Sequence, residues 1–394
     1  MGARHACPLC RSQDVDVFLQ RANVPIHQNF LYKSRAAARA ASRGRLEMAI
    51  CASCGFVFNS AFDPAALDYG ASYDNVQNLS PTFSAYAETL LRRIVAELPT
   101  RDQRVVEIGC GKGWFLKKLV AMHPCAVGYG FDTTYAGPLV ELGGRLRFFR
   151  RYFDARDARI EPTVVVCRHV IEHVPDVLRL LQGIRASVPD VPEARVYIET
   201  PCVRWILRNR AVWDLFYEHC SYFSGEALTK ALQTAGFHVR SVTAIFGGQY
   251  LWLEAGVQPA QKRPLVAPTP SDLYALARRL GAEEDEVKRK IDSRLSAAAS
   301  EGVGLWGAGA KGVTLANLID PEAERLRCVV DINPSKQGGY LPGTGHLIVG
   351  YERLEELGVR MVVNMNPNYL EENRRQLQKA GIAASVVDLS DWIA

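Results

Sequence analysis

The sequence predicts an α/β protein preceded by a small cysteine-bearing module, on three observations. R-V-V-E-I-G-C-G-K-G (104–113) and V-G-L-W-G-A-G-A-K-G (303–312) each read as a strand running into a glycine turn and then a helix. Apolar strands such as T-V-V-V-C-R-H (163–169) and R-V-Y-I-E-T-P (195–201) alternate with helical patterns, which marks a doubly wound sheet. Ahead of them stand two close cysteine pairs, C-P-L-C and C-A-S-C, in a stretch with few strong helix patterns.

Taken in order, residues 1–65 form the cysteine module, with a basic, Ala-rich stretch inside it. Residues 66–258 form the larger α/β domain. Its first helix is announced by Phe83, Tyr86, Leu90, Leu91, Ile94, Val95 and Leu98 at three- and four-residue steps. Residues 259–300 comprise a linker with four prolines, then a helix rich in Glu, Arg, Lys and Ala. Residues 301–394 hold four strands and two recognisable helices, enough for a small parallel sheet. At 394 residues, two or three domains are expected. With 48% hydrophobic and 23% charged residues, wholesale disorder is excluded. A formal charge of +5, spread along the chain, is too weak a field to indicate nucleic acid as a partner. No apolar run approaches the ~20 residues of a membrane span, and the N-terminus lacks an apolar signal core. The expectation is a cytoplasmic protein, monomeric for preference, whose ten cysteines stay reduced.

Cys7, Cys10, Cys51 and Cys54 form two C-x-x-C knuckles. Each knuckle aims two thiolates at one point, and two together complete a tetrahedral S4 shell with no position left for water, so a structural Zn2+ is expected. The competing readings are two unrelated reduced pairs or a redox motif; no βαβ pattern surrounds either pair to support the latter.

In the first glycine turn, Gly109, Cys110, Gly111 and Gly113 let the backbone approach a ligand. Glu107, at the strand end, favours a cationic amino-acid ligand over a pyrophosphate. Asp132, closing the next strand, can accept both hydroxyls of a ribose. These residues resemble motif I and the acidic second-strand end of class I methyltransferases that use S-adenosylmethionine; a nicotinamide site is the alternative. Arg168 and His169, ending the third strand, should line the pocket beside the sulfonium. His173, in I-E-H-V-P-D, is suited to proton transfer near neutrality, or else caps a helix.

F-Y-E-H-C-S-Y-F-S (216–224) sets Glu218 beside His219, where a carboxylate can tune a general base. Tyr222 is placed to donate to a substrate oxygen that gains charge. A surface Glu–His pair before a packed aromatic strand reads equally well.

These motifs, in this order, with G-A-G-A-K-G and V-V-D-I-N-P-S-K-Q-G-G-Y-L-P-G-T behind them, resemble the three-domain C-methyltransferases of nucleotide-linked 4-ketosugars over nearly the whole chain. The resemblance implies a zinc-binding module, a seven-stranded class I methyltransferase domain and a smaller C-terminal Rossmann-like domain that closes over the substrate. It places His173, Glu218 and His219 at the active site, and Tyr73 more loosely. It further implies a nucleotide sugar as the small-molecule partner, and deprotonation beside a ketone, by His219 backed by Glu218 or by His173, before methyl transfer to carbon. The chain departs from the pattern at Phe216, where the family commonly has Tyr; Tyr217 is adjacent instead and stands as a substrate-binding candidate. It departs again at G-G-Q-Y-L-W (247–252), and the stretch from Cys202 to Trp213 is longer than usual. O- or N-methylation of a sugar or other metabolite is the alternative activity.

The second glycine turn, with Asp331 closing its next strand, reads blindly as a dinucleotide fingerprint. Lys311, read as standing near the third glycine's usual place, suits a substrate phosphate at a helix N-terminus better than tight packing. Lys336 lies in a loop of turn-formers that can help cover the ligand. Nicotinamide binding and a purely structural unit are the other readings.

Overall fold

The computed structural model describes residues 6–67, 78–258 and 271–394. Among these residues the backbone forms three sheets. The first is antiparallel, in the order Val15–Pro25, Arg43–Cys51, Val57–Asn59, Ser221–Tyr222. Its last strand comes from far along the chain: Ser221 pairs with Phe58 and Tyr222 with Val57. The segment carrying Glu218 and His219 is thereby stitched to the N-terminal module.

The second sheet has eight strands where seven were expected. In order they are Val140–Glu141, Leu146–Phe149, Ala126–Phe131, Gln103–Ile108, Val164–Arg168, Arg195–Pro201, Tyr250–Gly256 and His238–Ile245. The five from Leu146–Phe149 to Arg195–Pro201 are parallel, and Tyr250–Gly256 runs against both its neighbours. The eighth is a two-residue edge strand, Val140–Glu141, too short to leave a periodic signal. The helix Pro81–Glu97 covers one face. It starts with Ser80 capping the Phe83 N–H and proline in its first turn, and it buries Phe83, Leu90, Leu91 and Ile94.

The third sheet is wholly parallel: Ile348–Val349, Leu326–Val330, Val303–Trp306, Met361–Asn364, Ser385–Asp388. Four of these strands match the sequence expectation, and Ile348–Val349 is an additional short edge. In its glycine turn the expectation about Lys311 is corrected. Gly312 holds the third-glycine place, where a Cβ would meet the Gly307 carbonyl oxygen at 1.9 Å.

The long helix Ser271–Ala297 is more than a spacer. Leu273, Ala277, Leu280, Val287, Ile291 and Leu295 form an apolar stripe buried with Leu46, Met48 and Ile50 of the first sheet and Val303 and Leu305 of the third. Its Glu284 pairs with Arg21 at 2.8 Å. Arg21 also donates to the carbonyls of Val212 and Leu215, at 2.7 Å each. One buried guanidinium thus joins the N-terminal sheet, the brace helix and the approach to residues 216–219. No helix among the described residues is long and apolar enough to cross a membrane.

Candidate active site

The two cysteine knuckles have the same local build. Arg11 (φ 63°) and Gly55 (φ 69°) both turn left-handed directly after the second cysteine, and their N–H groups return to the carbonyls of Cys7 and Cys51. The four sulfurs lie within 4.8 Å of one another, with Cys7–Cys54 at 3.7 Å and Cys10–Cys51 at 3.5 Å. A tetrahedral shell with Zn–S of ~2.3 Å has an edge of ~3.8 Å, so the cluster fits a structural zinc.

Two cavities open at the carboxyl ends of the parallel strands, where a doubly wound sheet presents its ligands. The first, about 570 Å³, runs along the turn 109–113. Gly109 (φ +71°) could not carry a side chain, since a Cβ there would stand 2.1 Å from Val170. Gly111 (φ +52°) has nothing within 4 Å on that side and leaves a cradle. The Asp132 carboxylate accepts from the Gly111 N–H (2.8 Å) and from the N–H and hydroxyl of Thr134 (2.7 Å each). Glu107 is buried and accepts from the Leu116 N–H; burial pushes its pKa up to about 8 against the pull of Arg168. Cys110 lines the same wall, and burial pushes its thiol far up, so it stays protonated.

Arg168 crosses the back of this cavity, 4.2 Å above the Phe115 ring, with Nε donating to Glu199 at 2.5 Å. Among the described residues its buried Nη2 has no hydrogen-bond partner. That orphaned cation and the glycine cradle fit an S-adenosylmethionine whose carboxylate and ribose need partners.

The second cavity, about 280 Å³, lies between the methyltransferase-type sheet and the C-terminal sheet. It shares His169 and His173 with the first. His169, in a left-handed conformation (φ 53°), approaches Glu199 at 3.1 Å and Glu172 at 3.5 Å. Burial opposes its charge, but the two carboxylates prevail and raise its pKa to about 9. Burial likewise opposes ionisation of Glu199, and Arg168 and His169 overcome it, holding the carboxyl at about 2. Tyr86 donates to the same carboxylate at 2.5 Å.

His173 and His219 meet at right angles, ring centroids 4.7 Å apart. Nδ1 of His173 faces the Glu218 carbonyl at 3.1 Å, and a carbonyl only accepts, so that nitrogen carries the proton. Burial lowers the pKa of both rings, and for His219 neighbouring His173, His169 and Lys311 add to it, so both are neutral near pH 7. The His219 ring packs tilted against Phe216, centroids 4.1 Å apart.

Several expected roles are not where the sequence suggested. Glu218 accepts from the Gln28 N–H at 2.6 Å, while Nδ1 of His219 has no hydrogen-bond partner among the described residues, so the carboxylate does not orient the imidazole through that nitrogen. The Tyr222 hydroxyl accepts from the Phe216 N–H (2.9 Å) and donates to the Phe216 carbonyl (3.1 Å); both its roles are spent on pinning the loop. The Tyr217 hydroxyl accepts from the Asp63 N–H at 3.0 Å, its ring lying against Gly44, away from the acceptor cavity. Tyr73 lies outside the described residues. Lys311 reaches the cavity but is paired with Asp214 (2.7 Å) and Gln249 (3.2 Å). Lys336, nearly buried, donates to the Ala308 carbonyl at 3.2 Å beside the second glycine turn.

Glu199, Tyr86, Asp214 and Tyr250 were not anticipated. Glu199 alone carried a signal, as the acid near the end of a strand in R-V-Y-I-E-T-P.

The fold and the donor cavity define an S-adenosylmethionine-dependent methyltransferase. Comparison with known proteins agrees: a methyltransferase domain family matches residues 83–242, and a C-methyltransferase C-terminal domain family matches residues 273–385. The two matches follow one another along the chain, the methyltransferase domain first and the C-methyltransferase C-terminal domain behind it. The chain is 25% identical over 314 residues to the C-methyltransferase NovU of Streptomyces niveus, covering 72% of this chain and 71% of that one. Solved structures match over a smaller part. An O-methyltransferase family protein from Burkholderia thailandensis is 18% identical, with a TM-score of 0.33, over 45% of this chain and 60% of its own. CalO1, a methyltransferase in calicheamicin biosynthesis solved with SAH, is 18% identical, with a TM-score of 0.36, over 45% and 54%.

Proposed function

We propose that the enzyme methylates a carbon beside the ketone of a nucleotide-linked 4-ketosugar. The observation that carries this reading is the junction of the two cavities at His169 and His173, with neutral His219 against His173 on the acceptor side. When bound, S-adenosylmethionine supplies an electrophilic methyl group on a sulfonium. Carbon is a poor nucleophile until it loses a proton, and a ketone makes the neighbouring proton acidic. The neutral imidazole of His219 takes that proton, and His173 fixes the position of its ring. His169, held cationic by Glu199 and Glu172, organises the wall between the two ligands. The junction of the two cavities holds the reactants close.

The C-terminal turn supplies the nucleotide end. The helix Ala310–Ile319 begins at Gly309 with no side-chain cap and opens on the acceptor cavity beside Lys336, a setting that suits a diphosphate. Lys311 contributes from within its pair with Asp214. We place the protein among enzymes acting on small molecules as a monomer in the cytoplasm.

The test is incubation with S-adenosylmethionine and a panel of nucleotide-4-ketosugars in deuterated water, read by mass spectrometry. Gain of one methyl, with deuterium entering the acceptor carbon before transfer, is the expected result. A methyl group located on oxygen or nitrogen by fragmentation of the product would overturn carbon as the acceptor.

A further inference from the structure

An enolate needs a proton donor at its oxygen as much as a base at its carbon, and most phenols near the site are already committed. Tyr86 donates to Glu199, Tyr217 is bonded to Asp63, and Tyr222 is bonded at both ends to Phe216. Phe216, beside His219, offers a ring without a hydroxyl. The Lys311 ammonium is held by Asp214 and Gln249. Tyr250 differs from all of these. It opens the strand Tyr250–Gly256, pairs with Pro201 in the register and lines the acceptor cavity. Its ring stands edge-on to His169 at 4.6 Å and stacks on Phe246 at 5.2 Å, which fixes its direction. Its hydroxyl has no hydrogen-bond partner among the described residues.

We propose that Tyr250 is the catalytic hydrogen-bond donor to the acceptor's carbonyl oxygen, stabilising the enolate that His219 generates. This assignment rests on the C-methylation reading above. In the first step the C–H bond beside the ketone breaks, its proton passes to the His219 imidazole, its electron pair forms the C=C bond and the carbonyl π pair moves to oxygen. Tyr250 keeps its proton and shares it with that oxygen. In the second step the carbon pair forms the new C–CH3 bond as the methyl–sulfur pair returns to sulfur, and the ketone re-forms. Burial, together with the nearby Tyr369, Glu199 and Asp214, keeps the phenol protonated far above its ordinary range, as a donor must be. A preorganised donor of this kind contributes about 10²–10³ in rate.

Tyr369 is the other phenol lining the cavity without a bonded partner among the described residues, but its ring packs on Phe246 from the C-terminal side, whereas Tyr250 packs on His169.

The test follows deuterium exchange into the acceptor in deuterated water without methyl donor, beside single-turnover methylation with it. Wild type, Tyr250→Phe and Tyr369→Phe are compared, each checked for S-adenosylmethionine binding by calorimetry. Tyr250→Phe should lose about 10²–10³ in both exchange and methylation while keeping its donor affinity. Unchanged exchange in that variant, or a larger loss from Tyr369→Phe, would overturn the assignment of Tyr250 alone. Should wild type place the methyl on oxygen or nitrogen, the enolate reading fails, and the assignment with it. Weakened donor affinity at unchanged exchange would show a packing role against His169 and overturn the proposal. Tyr250→Trp, which keeps a ring and an N–H donor, gives a second variant; exchange above that of Tyr250→Phe supports hydrogen-bond donation, and exchange at or below it contradicts it.

Discussion

The chain builds the same turn twice and lines each copy differently. In the first unit Asp132 locks the glycine turn through the Gly111 N–H (2.8 Å) and its own loop through the Thr134 N–H (2.7 Å). In the second, Asp331 does the same through the Ala308 N–H (2.9 Å) and the Asn333 N–H (2.8 Å). The backbone devices are alike; the linings differ. The first turn faces Glu107, Arg168 and aromatic rings, a setting for a zwitterionic nucleoside. The second faces Lys311 and Lys336 beside an uncapped helix N-terminus, a setting for phosphate. A strand–glycine–helix unit therefore specifies a place for a ligand, and the side chains around it specify which one.

The sharpest way to break this comparison is to insert a methyl group into each turn. Gly109→Ala combines a left-handed φ of +71° with a Cβ 2.1 Å from Val170. Strain of ~1–2 kcal/mol and overpacking of ~1–3 kcal/mol should cut S-adenosylmethionine affinity at least ~30-fold by calorimetry. Gly312→Ala forces a Cβ to within 1.9 Å of the Gly307 oxygen, so it should lower the melting temperature and raise the acceptor KM while donor affinity stays. Loss of donor binding in that variant would mean the two turns are not separate sites.

Lys336→Met should raise the acceptor KM roughly 10-fold, in keeping with about 1.5–3 kcal/mol for a hydrogen bond to a charged group, and leave donor affinity unchanged. An unchanged KM would remove the phosphate from this turn.

The smallest effect is the pH response. The folded pKa of His169 is raised to about 9 from 6.5, so its ion pairs contribute stability that is complete below 6.5 and is lost as pH rises through 9. Glu199, depressed from 4.5 to about 2, contributes stability present above 4.5 and lost as pH falls toward 2. His219 and His173, lowered below 6.5, stay competent as bases when pH falls past 6.5. Donor affinity should weaken above pH 9, and kcat/KM for the acceptor should hold steady on the acid side down past pH 6.5. A fall in kcat/KM centred at 6.5 would identify an unperturbed histidine as the base.

Much of this was legible in the sequence because it is local. Glycine turns, knuckle spacing and amphipathic periods are set within a few residues. The acidic ends of the strands, Asp132 and Asp331, follow from the same logic. The short edge strands Val140–Glu141 and Ile348–Val349 exist only through their partners and leave no period to read. The roles of Tyr217 and Tyr222 were misjudged for a related reason. An aromatic beside Glu–His looks catalytic in one dimension, but Ser221–Tyr222 is a strand of the N-terminal sheet, and its hydroxyl serves that fold. Asp214 and Arg21 act across long separations, 194 residues in the bond from Arg21 to Leu215, and no local pattern announces them.

The central claim is that donor and acceptor meet at the histidines, with His219 removing the proton. It is tested most directly by His219→Ala, in which single-turnover methylation of the acceptor is followed beside calorimetric titration with S-adenosylmethionine. The expected result is abolished methyl transfer with donor affinity nearly intact. Near-normal transfer in that variant would contradict it and take His219 out of the base role.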